Sequence, residues 1–85
     1  MSMRIHLADD HVVGRQGVRV LLKQAGMVMV GEAADGPEIL RLAHTHQPDV
    51  AVLDIAMPHL KGFETARRLR ETVPQTKIIV LTMGV

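Results

Sequence analysis

The residues able to do chemistry fall at three places in this 85-residue chain: the pair Asp9-Asp10, the lone Asp54, and Thr82. Each follows a short apolar run, with Leu7-Ala8 before the pair, Val50 to Leu53 before Asp54, and Ile78 to Leu81 before Thr82. If those runs are neighbouring strands of one sheet, three carboxylates converge on one rim. Carboxylates held that close repel one another unless a cation neutralises them. An all-oxygen site with few protein ligands and several waters favours magnesium and leaves positions open for phosphate oxygens. A carboxylate beside such an ion can act as a nucleophile toward phosphorus, giving an aspartyl phosphate. Phosphoryl transfer asks for little beyond positioning and charge neutralisation. The Thr82 hydroxyl could bond a phosphoryl oxygen from the same rim, so the set reads as a phosphoryl acceptor site.

Each feature also has a plainer reading. Asp9-Asp10 could be a solvated turn, Asp54 could cap a loop before Pro58, and Thr82 could sit in a strand because it is β-branched. His11 opens a helix beside the acidic pair and is read equally as a modulator of the site or as a surface residue. His44 and His46 fall late on a helix, where polar and cationic residues are ordinary. His6 is odd, because a central strand should be apolar there. Arg67, Arg68 and Arg70 read as a solvated helix face, and the methionines as core filling.

The elements that must position these residues follow from hydrophobic periodicity. Met3 to Ala8 predicts a strand, and Val12 to Ala25 a helix with Val18, Leu21, Leu22 and Ala25 on one face and Gly26 as its stop. Gly14 and Gly17 inside it imply close backbone approach or a weak first turn. Val28 to Ala33 predicts a second strand. Asp35-Gly36-Pro37-Glu38 opens a second helix with Ile39, Leu42 and Ala43 on its apolar face. Val50 to Leu53 runs as a third strand into Asp54. Lys61 to Thr72 predicts a third helix with Phe63, Ala66, Leu69 and Val73 inward, and Lys77 to Thr82 a fourth strand. Alternating strands and helices of this length imply an α/β fold, a doubly wound parallel sheet with helices on both faces.

Composition removes several function classes. At 47% hydrophobic and 22% charged this is an ordinary globular chain, and 85 residues make one domain at most. A formal net charge of +1 supplies no broad basic field, and a single aromatic residue, Phe63, leaves little to stack on bases. The absence of cysteine removes disulfides, thiolate metal sites and thiol catalysis. No apolar run is long enough to cross a bilayer, and Asp9 and Asp10 interrupt any signal-peptide core. The expectation is a cytoplasmic domain with no membrane partner.

Leu7-Ala8-Asp9-Asp10-His11, then Asp54-Ile55-Ala56-Met57-Pro58 with Gly62, then Ile79-Val80-Leu81-Thr82, resemble the receiver domain of two-component response regulators. The match runs from about Arg4 to Thr82. Val30-Gly31-Glu32-Ala33, Asp35-Gly36 and Pro48-Asp49-Val50 resemble the LuxR/FixJ/NarL-type branch, which carries a DNA-binding output domain. The resemblance implies a flavodoxin-like sheet of strand order 2-1-3-4-5, a family property rather than a product of periodicity. Strands 2-1-3-4 are present, and a fifth strand with its contact lysine, and helices four and five, are missing from this sequence. Residues 1–85 are therefore expected to be a single receiver domain, incomplete at its C-terminal side.

The resemblance also assigns roles. Asp54 accepts a phosphoryl group from a phosphohistidine on a sensor histidine kinase. Asp9, Asp10, Asp54 and the backbone carbonyl of Ala56 hold Mg2+. Thr82 contacts the phosphoryl group and acts as a switch, while Ala56, Met83 and Gly84 tune the lifetime of the phosphorylated state. DNA is reached only through the missing C-terminal domain. Homodimerisation is expected through Ile78 to Val85, an apolar run at the edge of the sheet.

Two other readings stay open. A phosphotransfer enzyme resembling the haloacid dehalogenases would need a second aspartate two positions after the nucleophile, where this chain has Ala56. An interaction module could adopt the fold without being phosphorylated. A dinucleotide-binding domain is disfavoured, because acidic residues and not a glycine-rich cradle follow the first strand.

Overall fold

Four strands and three helices alternate along the chain: β1 Arg4–Ala8, α1 Val12–Gln24, β2 Val28–Ala33, α2 Gly36–His46, β3 Val50–Asp54, α3 Gly62–Thr72 and β4 Lys77–Leu81. The computed structural model describes residues 2–9, 11–54 and 62–81, without the side chains of Val12 and Gly62. All strand pairs are parallel and the order is β2-β1-β3-β4, the doubly wound arrangement that the resemblance implies.

Strand alternation divides the core in two. Ile5, Leu7, Val50 and Val52 face one side, where Val18 and Leu22 of α1 cover them. Ala8, Ala33, Ala51 and Leu53 face the other, packed against Ile39 and Ala43 of α2, Leu69 of α3 and Val73 just after it. Small alanines on that face let the two helices approach the sheet closely. β3, at the centre, is buried along its whole length.

Local chemistry sets the helix ends. The Asp35 side chain accepts the Glu38 amide at 2.8 Å, and the Glu38 carboxylate accepts the Ala34 amide at 3.1 Å. With Pro37 in the first turn, α2 is started by its own sequence. It ends at Gln47, whose φ of 47° lies in the left-handed region. Arg4 of β1 reaches across to donate to the carbonyls of His46 at 2.9 Å and Gln47 at 3.2 Å, answering acceptors that the helix end leaves open. The Arg4 amide donates to the Asp49 carboxylate at 2.7 Å, so the start of β1 and the approach to β3 are tied together.

His6 resolves differently from its sequence reading. It is fully buried on the α2 side of β1, with its Nε2 3.1 Å from Nδ1 of His46. His46 is therefore half-buried and partnered, not a solvated helix-end residue. A register shift between Ile5 and His6 places Gly31 opposite His6. A Cβ at Gly31 would lie 2.8 Å from the His6 ring, so the ring occupies the room a side chain would need. Burial, then the neighbouring His46 and Arg4, push the His6 pKa down to about 4.

Three inward assignments need correction. Phe63 is 72% exposed, Leu21 is 65% exposed, and Ala25 is exposed at the cap just past the end of α1. The buried side of α3 is centred on Leu69 and continues into Val73 just past its end, and Phe63 in the first turn falls to its side. On α1, Val18 and Leu22 meet the sheet and Leu21 lies beyond their edge. Arg67 and Arg68 occupy a solvated face, as expected, in i,i+4 pairs with Glu71 and Glu64.

Candidate functional site

The β1–β3 ladder aligns Ala8 with Leu53, which brings Asp9 and Asp54 to the same edge of the sheet. Both are buried, at 4% and 5% exposure. The next ladder sets Leu81 of β4 opposite Asp54. This is the carboxyl end of a parallel sheet, where open α/β folds place their ligands. Asp10, Ala56, Thr82, Met83 and Gly84 lie outside the described residues, so the structure brings together Asp9 and Asp54 of the expected set.

Asp9 is fixed by backbone contacts on both sides. Its amide donates to the Ala33 carbonyl at 3.0 Å, and its Oδ1 accepts the His11 amide at 2.8 Å. Its carbonyl accepts from Arg15 Nη1 at 3.2 Å. Arg15 is also paired with Glu32, which Arg19 shares. α1 comes close at Gly14, where a Cβ would stand 3.2 Å from Asp9 Oδ2, whereas Gly17 has open space. Of the two readings of those glycines, close approach holds for Gly14. Among the described residues the N-cap His11 makes no side-chain capping bond and the first turn carries no acid, so Asp9 lies just ahead of the positive end of α1.

A cavity of about 300 Å³ opens here, lined by Leu7, Asp9, His11, Gly14, Val18, Asp54 and Leu81. Its walls are largely apolar, so charge inside is poorly screened by water. One ligand atom each from Asp9, His11 and Asp54 lies within 4.8 Å of the others, a grouping able to hold a metal ion. Donors about 2 Å from one hard cation stand roughly 3 to 4 Å apart, so small side-chain rotations close the set. Two buried carboxylates with an open mouth fit a divalent cation in both charge and donor chemistry. A larger groove, about 590 Å³, lies between α2 and α3. Its carboxylate, Glu71, is paired with Arg67, and it brings no second acid.

Sequence reasoning left His11 undecided and missed Arg15. Two positions along from Asp9, His11 brings its ring within 3.4 Å of the Asp9 carboxylate, and its closeness in sequence was the available signal. Arg15 gives none beyond its helical spacing. Among the described residues, no helix is long and apolar enough to cross a membrane.

The family model for the response regulator receiver domain matches residues 5–85. A transcriptional regulatory protein of Bacillus subtilis, YxjL, is 41% identical over 82 residues, covering 95% of this chain and 38% of that protein. A LuxR-family two-component response regulator from Aurantimonas superposes with a TM-score of 0.91 at 36% identity, covering all of this chain and 61% of that one. RcsB from Salmonella enterica, solved on promoter DNA with the phosphomimetic BeF3-, gives a TM-score of 0.87 at 28% identity, covering 100% of this chain and 50% of that chain. The chain thus spans about two fifths of the length of the curated relative. Motif order, strand order, acidic pocket and these likenesses agree: the chain belongs to the response regulator receiver domain family.

Proposed function

We propose that residues 1–85 form the phosphoacceptor unit of a two-component response regulator, with Asp54 receiving a phosphoryl group from a sensor histidine kinase. The observation that carries this is the β1–β3 register, which sets buried Asp9 and Asp54 side by side in an open pocket. In the transfer, an Asp54 carboxylate oxygen forms the new P–O bond while the P–N bond to the donor histidine breaks. The freed imidazole nitrogen leaves with the bonding pair and takes up a proton from water. Asp9 and Asp54, with Asp10 and the Ala56 carbonyl, would hold Mg2+. Once bound, the ion supplies positive charge for the equatorial phosphoryl oxygens. The hydrophobic lining from Leu7, Val18 and Leu81 limits water around Asp54.

Thr82, which directly follows the residue paired with Asp54, would bond the phosphoryl group and pass the change to the adjoining surface. The role is regulatory, with the chemistry confined to the domain's own phosphorylation and dephosphorylation. The output is transcription in the cytoplasm through a LuxR-type DNA-binding domain elsewhere in the protein. Support comes from the regulatory name of the Bacillus relative and from RcsB, solved on its promoter.

The test is incubation with magnesium and acetyl phosphate, read by intact mass beside an Asp54→Ala control. One added phosphoryl group on the parent and none on the control is the expected result. Equal uptake by both would place the acceptor elsewhere, and no uptake by a chain extended through a fifth strand would favour the unphosphorylated module.

A further inference from the structure

The acidic pocket is not purely an oxygen site. His11 Nδ1 lies 3.4 Å from Asp9 Oδ1, and the His11 amide holds that same oxygen at 2.8 Å. His11 thus lines the same cavity as Asp9 and Asp54. A donor atom from each of the three lies within 4.8 Å of the others. The geometry points to His11 as a further metal donor beside Asp9 and Asp54, adding an imidazole to the carboxylates so that the site selects Co2+, Ni2+ or Zn2+ over Mg2+. This rests on the proposed cation pocket and specifies which cations it prefers.

Three features support it. First, the 3.4 Å separation of His11 Nδ1 from Asp9 Oδ1 places the two side chains of the Asp-x-His spacing on one side, with His11 itself extended at φ −98° and ψ 111°. Second, the two ligands of that spacing come from one loop and Asp54 from another strand, so an ion would link β1 to β3. Third, nitrogen donors discriminate. Carboxylate oxygens serve Mg2+ and Mn2+ alike, whereas imidazole suits the later first-row ions and gains with the Irving–Williams order. Mg2+ also gives up its waters reluctantly, so it draws least from an added imidazole. The imidazole is 65% exposed, so it lies outside the packed core.

The measurement is equilibrium binding of Mg2+ and Ni2+ separately, by calorimetry, to the parent chain and to His11→Ala, Asp54→Asn and His44→Gln. Co2+ absorption in the visible reports nitrogen coordination independently. The expected result is a single site binding Ni2+ more tightly than Mg2+. His11→Ala should weaken Ni2+ by about tenfold or more, the scale typical of losing a ligand-shell group, and leave Mg2+ within about twofold. Asp54→Asn should weaken both ions, and His44→Gln neither. If His11→Ala leaves Ni2+ binding and the Co2+ spectrum unchanged, or weakens Mg2+ and Ni2+ by the same factor, the inference is overturned while the acidic pocket stands. If Asp54→Asn changes neither ion, the ions sit elsewhere and the pocket reading falls with it.

Discussion

The rings of His6 and His46 meet edge to face inside the protein, with 3.1 Å between Nε2 of the first and Nδ1 of the second. Among the described residues His6 Nδ1 has no partner and no solvent. A buried N–H without an acceptor is costlier than a lone pair without a donor. The favoured tautomer therefore carries the His6 proton on Nε2, donated to His46 Nδ1. Nitrogen-15 shifts of the two rings should show that tautomer at pH 7, and a protonated His6 Nδ1 would contradict it.

A pH dependence follows from the same pair. The folded protein holds His6 neutral down to about pH 4, whereas the unfolded chain protonates it near 6.5. A base whose folded pKa is lowered contributes stability above its unfolded pKa and loses it as pH falls toward the folded value. Urea midpoints should thus decline between pH 6.5 and 4, with a His6 share of at most roughly 3 kcal/mol. In His6→Leu that share of the slope should vanish. An unchanged slope would place the acid sensitivity elsewhere.

Gly31→Ala should destabilise the fold, because its Cβ would stand 2.8 Å from a ring that is buried and cannot retreat. Overpacking of this kind costs about 1–3 kcal/mol. Combined with His6→Ala the loss should shrink, and a double-mutant cycle measures the coupling. Additive losses would show that the strain is not between these residues.

Gly14→Ala separates helix propensity from the site. Alanine favours the helix by about 1 kcal/mol over glycine. Its Cβ would press within 3.2 Å of Asp9 Oδ2, whose partner oxygen is tethered to the His11 amide. Divalent cation affinity should fall, while denaturation shows less than the full helical gain. Unaltered cation binding would mean that Asp9 yields freely.

Asp54→Asn removes one of the two carboxylates buried among the described residues. Thermal unfolding should show the variant more stable than the parent in chelator, and divalent cations should raise the Tm of the parent alone. A cation-induced rise of equal size in both proteins would contradict the pocket.

β4 pairs with β3 on one side and is the last strand of the sheet among the described residues, with Ile79 48% exposed. An apolar edge of that kind templates further pairing. Light scattering should find this 85-residue chain dimeric or larger at micromolar concentration, and Ile79→Lys should reduce the association. A monodisperse monomer would refute the expectation.

Much of this was legible in the sequence because one period governs each element. Apolar runs ending in Asp9 and Asp54 mark strands buried on both faces, and both residues occur where those runs end. Asp35 with Glu38 announces the start of α2, and Gly26 the end of α1, with a φ of 85°. The His6–His46 bond was not legible, since it depends on a register shift between two strands and on a helix 40 residues away. Leu21 and Phe63 escaped for a similar reason. Periodicity gives the direction of a helical face, and the neighbouring elements decide how wide a stripe is covered. His11 lay between the two cases, because its type was visible and its orientation depends on where β1 ends.

The tie between Arg4 and Asp49 spans 45 positions of sequence, and the pairing of β1 with β3 closes a loop of that scale. Contacts so remote in the chain form only after a large loss of chain freedom, so they come late and set the folding rate. Asp9 and Asp54 are neighbours only when that ladder exists. Asp9 is positioned by β1, α1 and β2, which are close in sequence, whereas the opposing carboxylate arrives with the long-range closure. A cation bound between those two carboxylates should accordingly act on the closure itself and speed folding more than it slows unfolding, so the acidic pocket is tied to the step that builds the centre of the sheet.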